Sequence, residues 1–292
     1  MTIERVGVVV VTHASAATLP DTLDALPKDE LGGLVVVDNG STDDSARLAR
    51  LHGATVIVQD NLGFSAGNNR GNAALHTELV LFLNPDAVLQ RDDLVMLIGY
   101  LDAHPRCAVV GPAVYSGGQP SYSAGRLDSL ATEVRPLLPA PLSALGPRRR
   151  LPPAYRKSGP VGYVEGACFL VRRSALADAG GFDERYFLYF EELDLARRLG
   201  QLGHEVHLCA EARVEHAMGA STQQLPDAGS THLVTSQVRY LRRWHGERVA
   251  RIWVRAARLS WSLRRRTGRL PAERAVALQR AAAEALNHDV PR

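Results

Sequence analysis

Three short stretches of this chain place carboxylates and amides where chemistry could be done. Asp38-Asn39-Gly40-Ser41-Thr42-Asp43 and Asn84-Pro85-Asp86 each follow an apolar run, and Phe187-Leu188-Tyr189-Phe190-Glu191-Glu192-Leu193-Asp194 sets three carboxylates beside aromatic rings. Asp38 could accept a hydrogen bond from a pyrimidine N–H. It could equally serve a turn or a helix cap, where Asp, Asn, Gly and Ser are favoured. Asp86 could ligate a hard cation that bridges two phosphates, or simply close a turn after proline. Glu191 and Glu192 fall at a helix start and could be dipole complements. Beside an aromatic wall, such a carboxylate would have a raised pKa and suit a general base. Asp194 precedes Arg197 and Arg198 on that helix and reads as a structural ion-pair residue.

Two further stretches invite the same question. Asn61-Leu62-Gly63-Phe64-Ser65-Ala66-Gly67-Asn68-Asn69-Arg70-Gly71 is a loop opening a helix. Its glycines allow close backbone approach, and a helix N-terminus suits an anion; a tight turn is the plainer account. It lacks the spacing of a dinucleotide fingerprint. Glu215-His216 comes later, and a lone histidine is more often a satisfied one than a ligand.

These residues need a scaffold. Val6–Thr12, Leu34–Asp38, Ala54–Val58 and Leu79–Leu83 are short, Val- and Leu-rich, and read as buried parallel strands. Helical stretches at Leu19–Leu26, Asp44–Leu51, Ala66–His76 and Asp92–His104 alternate with them. The alternation implies a doubly wound α/β sheet. More strands are expected at Ala108–Val114, Val164–Val171 and Glu205–Cys209, with helices at Ser174–Ala179 and Glu192–Gln201. In such a sheet ligands bind beyond the carboxyl ends of the strands. Thr12-His13, Asp38 to Asp43 and Asn84 to Asp86 all fall on that edge.

Residues 117–159 are proline-rich and expected as a loop or flap, and helices resume near Thr231. The domain expectation is therefore 1–228, with a basic helical segment at 229–292. In that segment Leu241, Trp244, Val249, Ile252 and Leu259 are expected to share one helical face bordered by arginines, suited to a bilayer surface. No recognition motif accompanies the charge, so no nucleic-acid partner is expected; packing on the catalytic domain, or a homodimer, with the arginines simply solvated, is the plainer use of such a helix. The chain has 292 residues, 46% of them hydrophobic, with a formal net charge of +3. That excludes wholesale disorder. No apolar run matches a bilayer span or a signal peptide, so a cytoplasmic protein is expected, peripheral on the inner face of the plasma membrane if the tail binds lipid. Cys107, Cys168 and Cys209 show no metal or disulfide spacing and are expected as buried small hydrophobes.

Taken together the motifs resemble the family 2 glycosyltransferases of the GT-A fold, and within them the bacterial rhamnosyltransferase-type branch. The matching pieces run in family order: Val8 to Thr12, Val36 to Asp43, the Asn61–Asn69 loop, Phe82 to Asp86, Gly166 to Arg173, Gly181 to Glu184 and Tyr189 to Leu195. The resemblance implies a mostly parallel sheet flanked by helices and a nucleotide-diphosphate-sugar donor, dTDP-rhamnose by branch. It also implies a divalent metal, Mg²⁺ or Mn²⁺, and a glycan or polyprenyl-linked acceptor. It assigns Thr12, His13, Asp38, Asn61, Gly63, Asn68 and Asn84 to the nucleotide sugar, and Asp86, the last acid of a D-x-D signature, with His216 to the metal. Glu192 stands at the position of the acidic base, with Glu191 beside it as the alternative. The sequence departs from the pattern at His13 for tyrosine, Ala14 for asparagine, Asn84 for the first acid and Glu192 for aspartate. The expected reaction is an inverting transfer. A nucleotidyltransferase would carry a glycine-rich basic signature after the first strand, which Thr12 to Ala16 lacks. A non-catalytic binding protein would need no acid at Glu191 or Glu192.

Overall fold

The structure is a computed structural model describing residues 2–127, 132, 134, 137, 150–153, 155, 157–217 and 226–287, with backbone only at 226–229. About half of the proline-rich stretch, and Gly219-Ala220-Ser221, therefore lie outside the described residues. The chain forms two compact units: Met1–Leu127 with Arg150–Arg185 and Glu191–Ser221, and Asp128–Arg149 with Tyr186–Phe190 and Thr222–Arg292.

In the first unit β1 (Val6–Thr12), β2 (Gly33–Asn39), β3 (Thr55–Gln59) and β4 (Leu79–Leu83) pair in parallel in the order β3-β2-β1-β4. β1 is buried at all seven positions and β4 at all five, which is why neither shows polar alternation. The helices α1 (Leu19–Asp24), α2 (Ser45–Leu51) and α3 (Phe64–Ala73) make the crossovers. β1 lies between β2 and β4, so the winding reverses there and opens a crevice beyond the strand ends.

The other half of the sheet is mixed. Its members are β5 (Ala87–Leu89), β6 (Cys107–Ser116), β11 (Cys168–Arg172) and β12 (Glu205–His216), and the full order is β3-β2-β1-β4-β11-β6-β12-β5. β11 runs antiparallel to β4 and β6, while β12 runs parallel to β6. Helix α4 (Arg91–Ala103) joins β5 to β6. Where only a loop is expected, β7 (Gln119–Pro120) pairs with β6, and β8 (Ala124–Gly125) with β10 (Tyr163–Val164); β9 (Gly159–Val161) adds to β12. The single strand expected over Val164–Val171 is thus two, β10 and β11. Helices α5 (Arg173–Asp178) and α6 (Glu191–Gln201) complete the unit. All three cysteines are free and buried.

The second unit holds α7 (Pro226–His245), α8 (Glu247–Arg266) and α9 (Ala272–Asn287). Gly246, at φ 87°, breaks what the sequence suggests as one helix into α7 and α8. The bundle core comprises Val234, Val238 and Leu241 of α7, Trp253, Val254, Ala257 and Trp261 of α8, and Leu278, Ala281, Ala282 and Ala285 of α9. Leu241 and two tryptophans therefore face this core. Of the five residues expected on one apolar face, Leu241 lies in this core and Val249 packs against it, Trp244 is half-buried, and Ile252 and Leu259 are exposed, so the single broad face is not formed.

Candidate active site

Thr12 ends β1 and stands in register with Asp38 of β2; they are 1% and 2% exposed. Asp38 Oδ1 accepts from the Ser41 backbone N–H at 3.2 Å and from the Ser41 hydroxyl, so the carboxylate closes a turn as well as facing the edge. The loops after β1 and β2 are then tied to each other. His13 Nδ1 donates to the Asn39 carbonyl at 2.9 Å, the Ala14 N–H reaches Ser41 Oγ at 2.9 Å, and the Ser15 N–H reaches Ser45 Oγ at 2.9 Å. Asp43 receives the Ala16 N–H at 3.0 Å and both donors of Ser45. Partial burial works against ionising Asp43, but these hydrogen bonds hold its carboxyl below the usual range. Asp43 was not singled out from the sequence, although an acid just ahead of an expected helix is a capping signal.

Beside these loops, Gly63 at φ 93° begins α3; its N–H bonds Asn61 Oδ1 at 3.3 Å, and its carbonyl accepts from Asn39 Nδ2 at 3.0 Å. The other glycines serve packing rather than ligand approach. A Cβ on Gly67 would lie 2.7 Å from a Val11 methyl, and one on Gly71 2.4 Å from a Val9 methyl, so α3 can lie this close to β1 only with glycine there. Ser65, Asn68 and Asn72 follow i, i+3, i+7 spacing on α3. Ser65 Oγ, Asn68 Nδ2 and Asn72 Oδ1 are buried without a hydrogen-bond partner, as is Thr12 Oγ1. Buried orphan groups mark places where water or a ligand belongs.

Asp86 and His216 are 130 residues apart in sequence, yet His216 Nε2 lies 3.1 Å from Asp86 Oδ1. The same nitrogen is 3.4 Å from Asn84 Nδ2; as donor it serves the carboxylate, as acceptor the amide. The meeting follows from β12 pairing antiparallel with β5, His216 opposite Ala87, and from the Ala217 N–H bonding the Asp86 carbonyl at 3.0 Å. Among the described residues no group of three or more His, Cys, Asp and Glu could hold a metal. The donor set is thus one carboxylate and one imidazole. It fits a cation whose remaining positions are filled by water and phosphate oxygens.

The acids of α6 are reached through β11. The Asn84 N–H bonds the Ala167 carbonyl at 2.9 Å, and Glu191 Oε1 lies 3.8 Å from where a Cβ on the adjacent Gly166 would stand. Glu191 is buried and Glu192 half-buried, and the Oε2 atom of each is shut off from solvent. Burial, followed by the Glu192 charge, pushes the Glu191 carboxyl well up, with Glu165 adding to the effect. Glu192 lines a small cavity with Val109, Val164, Phe169 and Val206. Asp194 is fully buried and takes Arg198 Nε at 2.8 Å, the ion-pair role expected. Two residues were missed from the sequence: Arg150 Nε sits 2.8 Å from Glu165 Oε1, and the Arg150 charge acts on Glu192. The aromatic wall is corrected in part. Phe187 stacks on His232 at 4.4 Å and Phe190 packs on Tyr240 at 5.2 Å, both on α7. The Ser236 hydroxyl of α7 donates to the Leu188 carbonyl at 2.8 Å.

Residues 7–180 match the family described as Glycosyl transferase family 2. The chain belongs to that family. This glycosyltransferase is 32% identical over 213 residues to an N-acetylglucosaminyl-diphospho-decaprenol L-rhamnosyltransferase of Mycobacterium tuberculosis, covering 66% of this chain and 69% of that one. It is 25% identical over 219 residues to the O-antigen chain rhamnosyltransferase RfbN of Salmonella typhimurium, covering 73% and 66%. Among solved structures, the mannosyltransferase PcManGT from Pyrobaculum calidifontis, in complex with GDP-Man and Mn²⁺, superposes with a TM-score of 0.57. That match has 16% identity and covers 96% of this chain and 85% of that one. S. aureus TarS 1-349 with UDP-GlcNAc gives 0.53 at 14% identity, covering 96% and 81%. These two likenesses establish the shared GT-A fold, the family match identifies the chain as a family 2 glycosyltransferase, and its likeness to the two rhamnosyltransferases puts it in the rhamnosyltransferase-like branch.

Proposed function

We propose that this glycosyltransferase moves a sugar, rhamnose from dTDP-rhamnose, onto a hydroxyl of a glycan or polyprenyl-linked glycan in polysaccharide biosynthesis, with inversion. The observation that carries the proposal is the Asp86–His216 pair at 3.1 Å, on the edge where Thr12 and Asp38 end their strands. Thr12, His13 and Asp38 contact the nucleoside, and the Asn61–Asn68 stretch with Gly63 and Asn84 lines the donor site. Asp86 and His216 hold a divalent cation, Mg²⁺ or Mn²⁺, which when bound supplies Lewis acidity toward the diphosphate leaving group. Glu192, half-buried and lining the small cavity, takes the proton of the acceptor hydroxyl. That oxygen forms its bond to the anomeric carbon as the bond to the diphosphate breaks on the opposite face. Glu191, kept neutral by burial beside the charged Glu192, positions it. The acceptor places the protein at the inner face of the plasma membrane, in peripheral contact through its C-terminal segment.

The test is a panel of nucleotide sugars with purified protein and divalent metal, with and without lipid-linked and free glycan acceptors, scoring nucleoside diphosphate release and product identity. Acceptor-dependent release from dTDP-rhamnose, with an inverted glycoside as product, is expected. Release from another donor alone would correct the sugar; a sugar nucleotide formed from a nucleoside triphosphate would overturn the reaction class.

A further inference from the structure

Helix α8 carries two apolar stripes. One consists of Ala250, Trp253, Val254, Ala257 and Trp261 and is buried in the bundle core. The other is Ile252, Ala256, Leu259 and Leu263, spaced i, i+4, i+7, i+11. Its three large members are 64%, 63% and 52% exposed. At about 100° per residue this second stripe lies on the opposite side of the helix from the first. Arg248, Arg255 and Arg266 stand within roughly 40–60° of Ile252 around the axis, all on the same flank. Arg258, Arg265 and, past the helix end, Arg269 extend the basic surface, and all six are exposed.

Charge decides what covers this face. From Arg248 to Ala272 the sequence contains no Asp or Glu. The one acid of α8, Glu247, is taken by Arg242 at 2.7 Å and Arg251 at 2.9 Å. Among the described residues none of these six arginines has a carboxylate within ion-pair distance. A two-fold dimer through this face would set arginine against arginine. A nucleic acid would leave the central apolar stripe without a partner. An anionic bilayer satisfies both parts: the apolar stripe enters the acyl boundary while arginine heads reach the phosphates.

We infer that the Ile252–Ala256–Leu259–Leu263 face of α8, with Arg248, Arg255 and Arg258, docks on an anionic lipid surface. This rests on the membrane-proximal part of the reading above and names the surface. It moves the contact off Leu241 and Val249, which the bundle takes up, and leaves Trp253 and Trp261 in the bundle core.

The experiment is co-sedimentation of the full chain with vesicles of phosphatidylcholine alone or with phosphatidylglycerol added, at low and high salt, without donor or acceptor. The protein is expected on the anionic vesicles, released by salt. Arg248→Gln/Arg255→Gln/Arg258→Gln should weaken binding about a hundredfold at low salt, at about fivefold per arginine. Ile252→Ser/Leu259→Ser/Leu263→Ser should lose binding while keeping the wild-type melting temperature, because these side chains already face water. Equal binding to neutral and anionic vesicles, or undiminished binding by the two triple variants, overturns the inference. So does a dimer that the serine variant dissolves in the absence of lipid, or retention by single-stranded nucleic acid but not by vesicles. Because lipid binding is read without turnover, a failed donor assignment and a failed docking face are separate results.

Discussion

The loops after β1 and β2 and the chain entering α6 solve opposite problems. The loops are over-determined: His13, Ala14, Ser15 and Ala16 each bond the Asn39–Ser45 stretch, and every carboxylate there has donors. The approach to α6 holds two consecutive left-handed residues that are not glycine, Tyr189 at φ 70° and Phe190 at φ 69°. A buried carboxyl with an unpartnered oxygen follows at once. Each such backbone residue costs on the order of 1–3 kcal/mol and persists only where its surroundings hold it. Here the stacking of Phe187 and Phe190 on α7 does the holding. A binding edge gains from rigidity and satisfied charge; on the proposed reading, the base gains from a neighbour that burial keeps neutral, which leaves the charge of the pair on Glu192.

Breaking the two regions should therefore give different failures. The largest effect is expected at the edge itself. Asp86→Ala removes the single carboxylate near His216, and turnover should fall below detection with the far-UV spectrum unchanged. Excess chelator should do the same to the unaltered protein. Full turnover in chelator would remove the metal from the account. Next, Glu192→Gln should keep donor binding by titration but cut kcat at least about a hundredfold, the loss expected for a general base. Glu191→Gln should be milder, as a neutral amide resembles a carboxyl that burial already keeps protonated. A dead Glu191→Gln beside a nearly normal Glu192→Gln would transfer the base by one residue.

The edge was legible in the sequence because parallel strands read as uninterrupted apolar runs, so their ends, and the polar residues there, could be counted off. The direction of β11 was not, since an apolar run carries no sign of which way it pairs. The resemblance alone paired Asp86 with His216; no local signal shows that β12 runs on to Ala87 across the sheet and so brings them into contact. Arg150 appeared only as one of three arginines among prolines, and nothing local ties it to Glu165. The left-handed Tyr189-Phe190 pair contradicts what either side chain prefers, so only the packing on α7 could reveal it. Gly246 was a visible break signal between two helical patterns, and heeding it would have separated α7 from α8.

A smaller effect sharpens the α6 side of the comparison. A carboxyl with a raised folded-state pKa binds its proton more tightly when folded. It contributes nothing unfavourable at low pH and destabilises increasingly as pH rises above the ordinary carboxylate range. Glu191→Gln should thus melt like the parent near pH 4 and above it at pH 7. The gap should open as pH rises from 4 to 7 and close again as pH is lowered. Coincident melting curves at both pH values would mean that Glu191 ionises normally.

The smallest effect tests the other side. Ala14 is the one non-glycine residue in the loop after β1 with positive φ, 51°, where the family pattern has asparagine. An alanine there gives up on the order of 1 kcal/mol to the clash of its Cβ with the backbone. The Ala14 N–H bond to Ser41 Oγ, and the neighbouring His13 and Ser15 bonds, hold it in place. Asparagine tolerates this conformation by hydrogen-bonding locally. Glycine tolerates it too but loses more chain entropy on folding. A β-branched residue does not tolerate it. In melting temperature Ala14→Asn should therefore rank highest, Ala14→Gly level with or above the parent, and Ala14→Val lowest, within a span of a few degrees. Donor affinity should hold for Ala14→Asn and fall for Ala14→Val, because strain released in a fully bonded loop must displace those bonds. Should Ala14→Val melt and bind like the parent, the bonds would not be fixing the loop, and the rigidity assigned to this edge would have to come from the strands alone.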